Sequence, residues 1–116
     1  MLRRLVRLIA LSIICCSGSA AASEGVWLDV PFVRQDKDGC GAASIAMVMQ
    51  YWLKQQDRPD NGSADAEQIK RALFDPGARG IYASKMEAYF QQHGFQTFSF
   101  RGEWKDLQQH LVKGRP

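Results

Sequence analysis

The apolar segment at residues 41–53 places the strongest constraint on what this chain can fold into. Its apolar side chains point to nearly every side of a predicted helix, and only Ser44, Gln50 and the adjoining Lys54 form a narrow polar stripe. A helix that is apolar almost all round is usually buried at the centre of its domain. We therefore predict a long central helix over about residues 41–53, with the other elements packed around it.

A cysteine stands at the start of this helix, in the sequence Gly39-Cys40-Gly41. The first N–H groups of a helix point outward and favour an anion, so they stabilise the thiolate, which is the nucleophilic form of cysteine. Two nearby carboxylates, Asp36 and Asp38, oppose thiolate formation. The alternative role is a small buried apolar residue, which is common for free cysteine. The flanking glycines and the helix start favour the reactive thiol.

Gln35 lies five residues before Cys40, and its amide NH₂ group can donate a hydrogen bond to a developing oxyanion. A base for the thiol is less evident. His93 falls at the predicted end of a helix, where a cation is favoured. His110 follows Asp106 by four residues, which resembles an acid–histidine dyad, although a solvated pair on a helix surface is the simpler interpretation. The residues therefore offer a nucleophile and an oxyanion donor without an assigned base.

The elements around the central helix are shorter. The predicted order is an extended segment at 27–33, the central helix, helices at about 65–74 and 84–93, a strand at 95–100 and a last amphipathic helix at 104–113. Capping boxes are predicted for the two middle helices, from Asp65 with Gln68 in the first and from Ser84 with Glu87 in the second.

Three short blocks resemble a known family: VPFVRQ at residues 30–35, GCGAA at residues 39–43 and MVMQYW at residues 47–52. The chain resembles the bacteriocin-processing peptidases, bacterial papain-like cysteine peptidases that cut leader peptides after a double glycine, and in particular their exported standalone members. The family pattern is a glutamine, a short loop and Cys-Gly at a helix start. Ala42 stands where the family often has proline, a small change because proline there only pre-sets the helix. The resemblance implies that Cys40 is the nucleophile and that Gln35 helps to form the oxyanion hole.

The resemblance also implies an α+β architecture, the papain-like cysteine peptidase fold. The predicted elements correspond to its N-terminal helical lobe with only the start of the sheet lobe present. In the family the catalytic histidine starts a strand farther along the chain, and an aspartate follows it. Residues 114–116 resemble the connection into the strand before that histidine, so neither His93 nor His110 takes the role. We therefore expect residues 23–116 to be a peptidase-like domain that is incomplete at its C-terminus and inactive alone, with its base beyond Pro116.

The first 22 residues have the features of a signal peptide. Three arginines are followed by an apolar run at residues 8–16 and by small residues up to Ala22, after which cleavage is expected. This predicts an exported protein, periplasmic or extracellular, and the alternative is a membrane anchor formed by residues 5–22. Without the signal peptide the chain carries twelve basic and twelve acidic side chains, so no nucleic-acid partner is expected.

Removal of the signal peptide leaves Cys40 as the only cysteine, so it is either a free thiol or a site for an intermolecular disulfide. One cysteine and two distant histidines do not make a zinc site, and no cofactor is expected. We therefore expect an exported thiol protease that hydrolyses a peptide or protein, such as a leader peptide with a double glycine. The alternatives are a non-catalytic peptide-binding module of the same fold and a structural domain that uses Cys40 for a disulfide.

Overall fold

The structure is a computed structural model, and it describes residues 25–116. The predicted signal peptide at residues 1–22 lies outside the described residues. The helices of the described part are, in order, α1 (Cys40–Gln55), α2 (Ala66–Leu73), α3 (Ala83–Gln92) and α4 (Trp104–Val112). Among these described helices, none combines the length and the apolar character that crossing a bilayer requires.

The predicted central helix is α1, which extends beyond the apolar pattern because it begins at Cys40 and ends at Gln55. Ile45 and Met49 of this helix are completely inaccessible to solvent. Helices α2 and α3 both pack on it. The core therefore lies along α1, and its buried members are Ala42, Ile45, Ala46, Met49, Leu53, Ala64 and Ile69.

Helix α2 contributes the fully buried Ile69 to this core. Its start is capped by Asp65, whose carboxylate accepts a hydrogen bond from the Gln68 N–H at 2.8 Å. This is one half of the predicted capping box; the other half does not form, because the Asp65 N–H donates to the Gly62 carbonyl at 3.3 Å. Leu73 also packs against the core, whereas Ala72 is exposed. The contact between α2 and α1 therefore centres on Ile69.

Helix α3 runs alongside α1 in the same direction. Just before its start, Ile81 packs so closely on Gly41 that a methyl group added there would lie 3.3 Å from the Ile81 Cβ. Toward its end, the Tyr89 hydroxyl donates to the Ser63 carbonyl at 2.8 Å. The neighbouring Ala64 carbonyl accepts a hydrogen bond at 2.9 Å from the side-chain amide of Gln50, which lies in the second half of α1. The start of α3 therefore lies near Cys40, and its end lies near the far part of α1.

The predicted capping box of Ser84 and Glu87 is wrong. Helix α3 begins two residues earlier than that box requires, and Tyr82 precedes it without a side-chain cap. The Glu87 carboxylate instead accepts a hydrogen bond from the Ser99 hydroxyl at 3.0 Å. The glutamate is therefore used to attach the following segment to α3.

The strand predicted at residues 95–100 is also wrong, because residues 25–116 contain only one isolated bridge, between Asp75 and Gly80, and no strand. A strand requires a neighbour for its backbone N–H and C=O groups. Residues 95–100 are attached to α3 by side chains instead, with the Gln91 amide donating to the Thr97 hydroxyl at 2.8 Å. The segment at 27–33 likewise forms no strand. The described part of the chain is therefore mostly helical, and no sheet lobe is present within it.

Helix α4 is attached to α1 near its C-terminal end, where the Tyr51 hydroxyl donates to the Gly114 carbonyl at 2.8 Å. A capping box of Glu103 and Asp106 starts this helix. Its predicted apolar face is largely uncovered, because the Trp104 side chain is 70% exposed. The last amphipathic helix therefore forms as predicted without being buried.

Candidate active site

A tight turn leads into α1 and depends on a glycine. The Gly39 N–H donates to the Asp36 carbonyl at 3.1 Å, and Gly39 is buried. A methyl group on Gly39 would overlap the Asp36 Oδ1 atom and would lie 3.2 Å from the Asp36 carbonyl oxygen. Asp38 in the same turn has a left-handed backbone with φ of 58°, which aspartate tolerates better than most residues. The turn therefore fits only glycine directly before Cys40 unless Asp36 moves.

Cys40 is exposed and is a free thiol. It is the first residue of α1, and neither Gly39 nor any acidic side chain of the first turn caps the helix. The first backbone bond of the helix runs from the Ala43 N–H to the Gly39 carbonyl at 2.9 Å. Within the described residues, the backbone N–H groups of Cys40, Gly41 and Ala42 have no hydrogen-bond partner. These N–H groups remain free to donate to an anion at the thiol.

Gln35 lies at the other end of this turn and is exposed. No side-chain hydrogen bond within the described part of the chain uses its amide, so its NH₂ group is available as a donor. The turn of residues 36–39 is all that separates Gln35 from Cys40. We call residues 35–40 the Cys40 loop. The geometry of this loop sets the distance between the candidate nucleophile and the candidate oxyanion donor.

Both acidic residues of the Cys40 loop are paired with cations from other parts of the chain. The Lys70 ammonium of α2 lies 2.6 Å from the Asp36 carboxylate and donates to the Lys37 carbonyl at 2.7 Å. The Arg79 guanidinium lies 3.3 Å from the Asp38 carboxylate. Each of the two carboxylates in the loop is therefore accompanied by a cation from another part of the chain.

Lys70 and Arg79 were not predicted as part of the site. They lie 34 and 41 positions from their loop partners, and no periodic or motif signal links residues at such separations. Ile81 was missed for the same reason, although its contact with Gly41 brings the start of α3 beside the Cys40 turn. Only tertiary packing shows that these residues meet the loop.

His93 lies at the end of α3 that is remote from Cys40. Its ring packs on the Tyr89 ring with 4.4 Å between centroids. The start of α3 is beside the Cys40 turn, and its ten residues span about 15 Å at the helical rise per residue. His93 is therefore too far from Cys40 to accept its proton in this arrangement.

His110 is also remote from Cys40. It lines a groove together with Trp52, which lies near the end of α1. Trp52 is twelve positions after Cys40 in the helix, a distance of about 18 Å at the helical rise per residue. The predicted solvated pair of Asp106 with His110 is wrong, because the Asp106 carboxylate accepts from the Glu103 N–H at 2.8 Å. In the described part of the chain, neither histidine therefore lies within reach of Cys40.

The groove beside His110 has a volume of about 1090 Å³. Its lining includes five aromatic side chains, those of Trp52, Phe95, Phe98, Phe100 and Trp104, together with polar and charged residues. It lies at the end of α1 opposite to Cys40, and its lining contains no cysteine, serine or threonine. The groove therefore does not hold the candidate nucleophile. Among residues 25–116, no cluster of His, Cys, Asp and Glu side chains is arranged to hold a metal ion.

Comparison with known proteins places the chain by its family. A family model described as the Peptidase_C39 like family matches residues 27–116, which include the Cys40 loop and all four helices. No curated protein and no solved structure matches the chain significantly. The match covers well over half of the chain. The chain therefore belongs to the Peptidase_C39 like family.

Proposed function

We propose that this protein is a cysteine peptidase in which Cys40 attacks a peptide carbonyl. The observation that carries the proposal is the exposed thiol at an uncapped helix start, in a chain that belongs to the Peptidase_C39 like family. Anion stabilisation by the first N–H groups of α1 favours both the thiolate and the oxyanion that forms from the substrate. Gln35, at the other end of the loop, supplies a side-chain donor to the same oxyanion.

The proposed reaction has two stages. The base takes the proton of the Cys40 thiol, and the thiolate sulfur forms a bond to the carbonyl carbon as the carbonyl π bond breaks. The negative charge passes to the carbonyl oxygen, where the Cys40 N–H and the Gln35 amide donate to it. The tetrahedral species then expels the amine, which takes a proton from the protonated base, and a thioester remains. Water attacks the thioester with the base taking its proton, so that the acid product leaves and the thiol is restored.

The base in this proposal is a histidine other than His93 and His110. Both lie toward the end of α1 that is opposite to Cys40, at separations of roughly 15 Å or more by helical rise. A base must come within hydrogen-bond reach of the thiol, about 3 Å. We propose that a sheet lobe of papain-like fold carries this histidine, as the family resemblance implies. The proposal extends to an exported enzyme that cuts peptides after a double glycine.

A second candidate is a non-catalytic module that binds peptides. It is favoured by one observation, the lack of a histidine near Cys40 within the described part of the chain. In that case the Cys40 loop would bind a peptide carbonyl without attacking it.

The experiment uses the protein at its full natural length and a peptide that contains a double glycine. We expect Cys40→Ala to abolish cleavage, while His93→Ala and His110→Ala retain activity within about twofold, because neither ring reaches the thiol. Cleavage by the Cys40→Ala protein would contradict the role of the cysteine. Loss of cleavage in a folded His93→Ala or His110→Ala protein would assign the base to that residue. Binding of the peptide by the wild type without any cleavage would support the peptide-binding module instead.

Gln35→Ala provides a second test in the same assay. Loss of one oxyanion donor lowers turnover by about 10²–10³. Because Gln35 is exposed, the substitution leaves no cavity, and the thermal unfolding midpoint is expected to stay unchanged. Wild-type turnover in Gln35→Ala would remove the oxyanion role.

A further inference from the structure

We infer that Lys70 of α2 is a positioning residue for the candidate active site, which it serves by fixing the Cys40 loop from outside. The inference rests on the proposed function for its catalytic consequence. Its structural content concerns the loop alone: one ammonium group holds two points of the turn that joins Gln35 to Cys40.

The Lys70 ammonium binds both a side chain and the backbone of the loop. It lies 2.6 Å from the Asp36 Oδ2 atom and donates to the Lys37 carbonyl at 2.7 Å. It also lies 5.7 Å from the centre of the Phe74 ring, a distance at which a cation is attracted to the ring face. Its side chain is only 23% exposed. These contacts limit the ammonium to one position, which an isolated surface lysine would not have.

The position of Lys70 is set by the core. The residue before it, Ile69, is completely buried against α1, and the hydrogen bond between Asp65 and Gln68 fixes the start of α2. Because the packing of α2 on α1 fixes Lys70, the contacts of Lys70 hold the loop in a fixed position relative to these two helices.

The Asp36 carboxylate is held from two sides. One oxygen is bound by Lys70, and the other lies so close to Gly39 that a methyl group there would overlap it. The carboxylate thus fills the space under the residue that precedes Cys40. Without Lys70 the carboxylate would be free to rotate into solvent, and the Lys37 carbonyl would lose its donor. The relative position of Gln35 and Cys40 would then no longer be fixed.

A second ion pair supports the loop more weakly. The Arg79 guanidinium contacts Asp38 at 3.3 Å, but its side chain is 69% exposed. Exposed ion pairs contribute little because water and salt screen them. Lys70 is more shielded and makes two short contacts, so we assign the positioning role to Lys70 rather than to Arg79.

The test compares Lys70→Met, Lys70→Arg and the control Arg71→Met in the protein at its full natural length. Arg71 is the next residue of α2 and is exposed, and no ion pair in residues 25–116 involves it. Two rates are measured: peptide turnover, and alkylation of Cys40 by iodoacetamide at neutral pH. Alkylation is located by mass spectrometry on the tryptic peptide of residues 38–54. The alkylation readout needs no turnover, so it still tests Lys70 if the proposed function fails.

We expect Lys70→Met to lower kcat by about 10- to 100-fold with a small change in KM, because misplacement of reacting groups by about 1 Å has effects of this size. Alkylation should slow by about 3- to 10-fold, because Asp36 would be left as an uncompensated charge near the thiol. The charged groups around the loop are Arg34, Asp36, Lys37 and Asp38 of the loop region, Lys70 of α2 and Arg79 before α3. Lys70→Arg should restore at least half of both rates, because a guanidinium can reach the same two acceptors. Arg71→Met should match the wild type.

Unchanged kcat and alkylation in Lys70→Met would overturn the inference, as would a Lys70→Arg protein that is no better than Lys70→Met. If Lys70→Met fails to fold, Asp36→Asn tests the same contact from its other partner. It removes the partner charge at nearly the same size, so kcat is expected to fall because the Lys70 anchor is weakened, whereas alkylation should not slow, because no uncompensated carboxylate is left at position 36. Unchanged kcat in a folded Asp36→Asn protein would contradict the positioning role. In the Asp36→Asn background, Lys70→Met should change the rates by less than about twofold if the two residues act as a pair. Equal effects of Lys70→Met in both backgrounds would contradict the pairing.

Discussion

Cys40 is exposed at the start of a buried helix because both of its neighbours are glycines in close contact with other parts of the chain. Gly39 lies over the Asp36 carboxylate, and Gly41 lies against Ile81. The sequence predicted the position of the cysteine, because glycines and an apolar run follow one another locally. It did not predict what the glycines contact, since Ile81 comes from a distant segment.

Substitution of Gly39 tests this account of the turn. A methyl group in Gly39→Ala would overlap Asp36 Oδ1 and crowd the Asp36 backbone, so the substitution should lower the free energy of unfolding by about 1–3 kcal/mol. It should also slow the alkylation of Cys40, because the Asp36 carboxylate is displaced from Lys70. Gly25→Ala is the matched control, since no atom lies within 4 Å of the added methyl group. Urea unfolding of the two variants makes the comparison. A Gly39→Ala protein as stable as Gly25→Ala would show that the turn is not tight.

At the scale of secondary-structure elements, the helices were predictable and their attachments were not. The apolar pattern of α1 and the Asp65 cap of α2 are local signals that the structure confirms. The strand at residues 95–100 was predicted from alternating phenylalanines, a pattern that does not show whether a partner strand is present. The Glu87 carboxylate was assigned to a cap and instead binds Ser99. Each of these predictions was wrong because the structure there depends on residues that are distant in the sequence.

The Tyr89 hydroxyl joins α3 to the loop before α2, and burial raises its pKa above the ordinary value of 10.0, with added contributions from Asp60 and Asp65. Because the folded-state pKa is the higher one, the contribution to stability is fully present below pH 10 and is lost as pH rises through the raised value. Tyr89→Phe should cost about 1 kcal/mol at pH 7, since it removes the hydrogen bond to Ser63.

Above pH 10 this cost should shrink, because the wild type then carries an unfavourable phenolate. Urea unfolding of the wild type and Tyr89→Phe at pH 7 and at a pH above 10 measures the difference. A stability difference that does not change with pH would show that Tyr89 titrates in the folded state as it does in the unfolded state.

At the scale of the whole molecule, the Cys40 loop and the aromatic groove lie at opposite ends of α1. The sequence offered a candidate nucleophile and a candidate oxyanion donor because the family pattern is short and local. It predicted an α+β fold, of which the described residues contain the helices and not the sheet. Within this part, Phe98 and Trp104 remain 82% and 70% exposed. Nothing in the local sequence distinguishes an aromatic side chain that is covered from one that is not, because coverage depends on the packing of distant segments.

The central claim is that Cys40 is the nucleophile of a peptidase, and covalent trapping tests it most directly. The probe is a peptide that ends in a double glycine and carries a vinyl sulfone in place of the scissile carbonyl. The thiolate adds to the β-carbon of the vinyl group and the α-carbon takes a proton, which leaves a stable thioether. The protein at its full natural length is treated with this probe and with a probe of scrambled sequence, and the adduct is located by mass spectrometry.

We predict a single adduct on Cys40, formed at least about tenfold faster with the double-glycine probe than with the scrambled one, a preference of at least about 1.4 kcal/mol. Unfolding the protein in urea should remove that preference. A folded protein whose Cys40 reacts with both probes at the same rate as the unfolded chain, or does not react until it is unfolded, would contradict the claim.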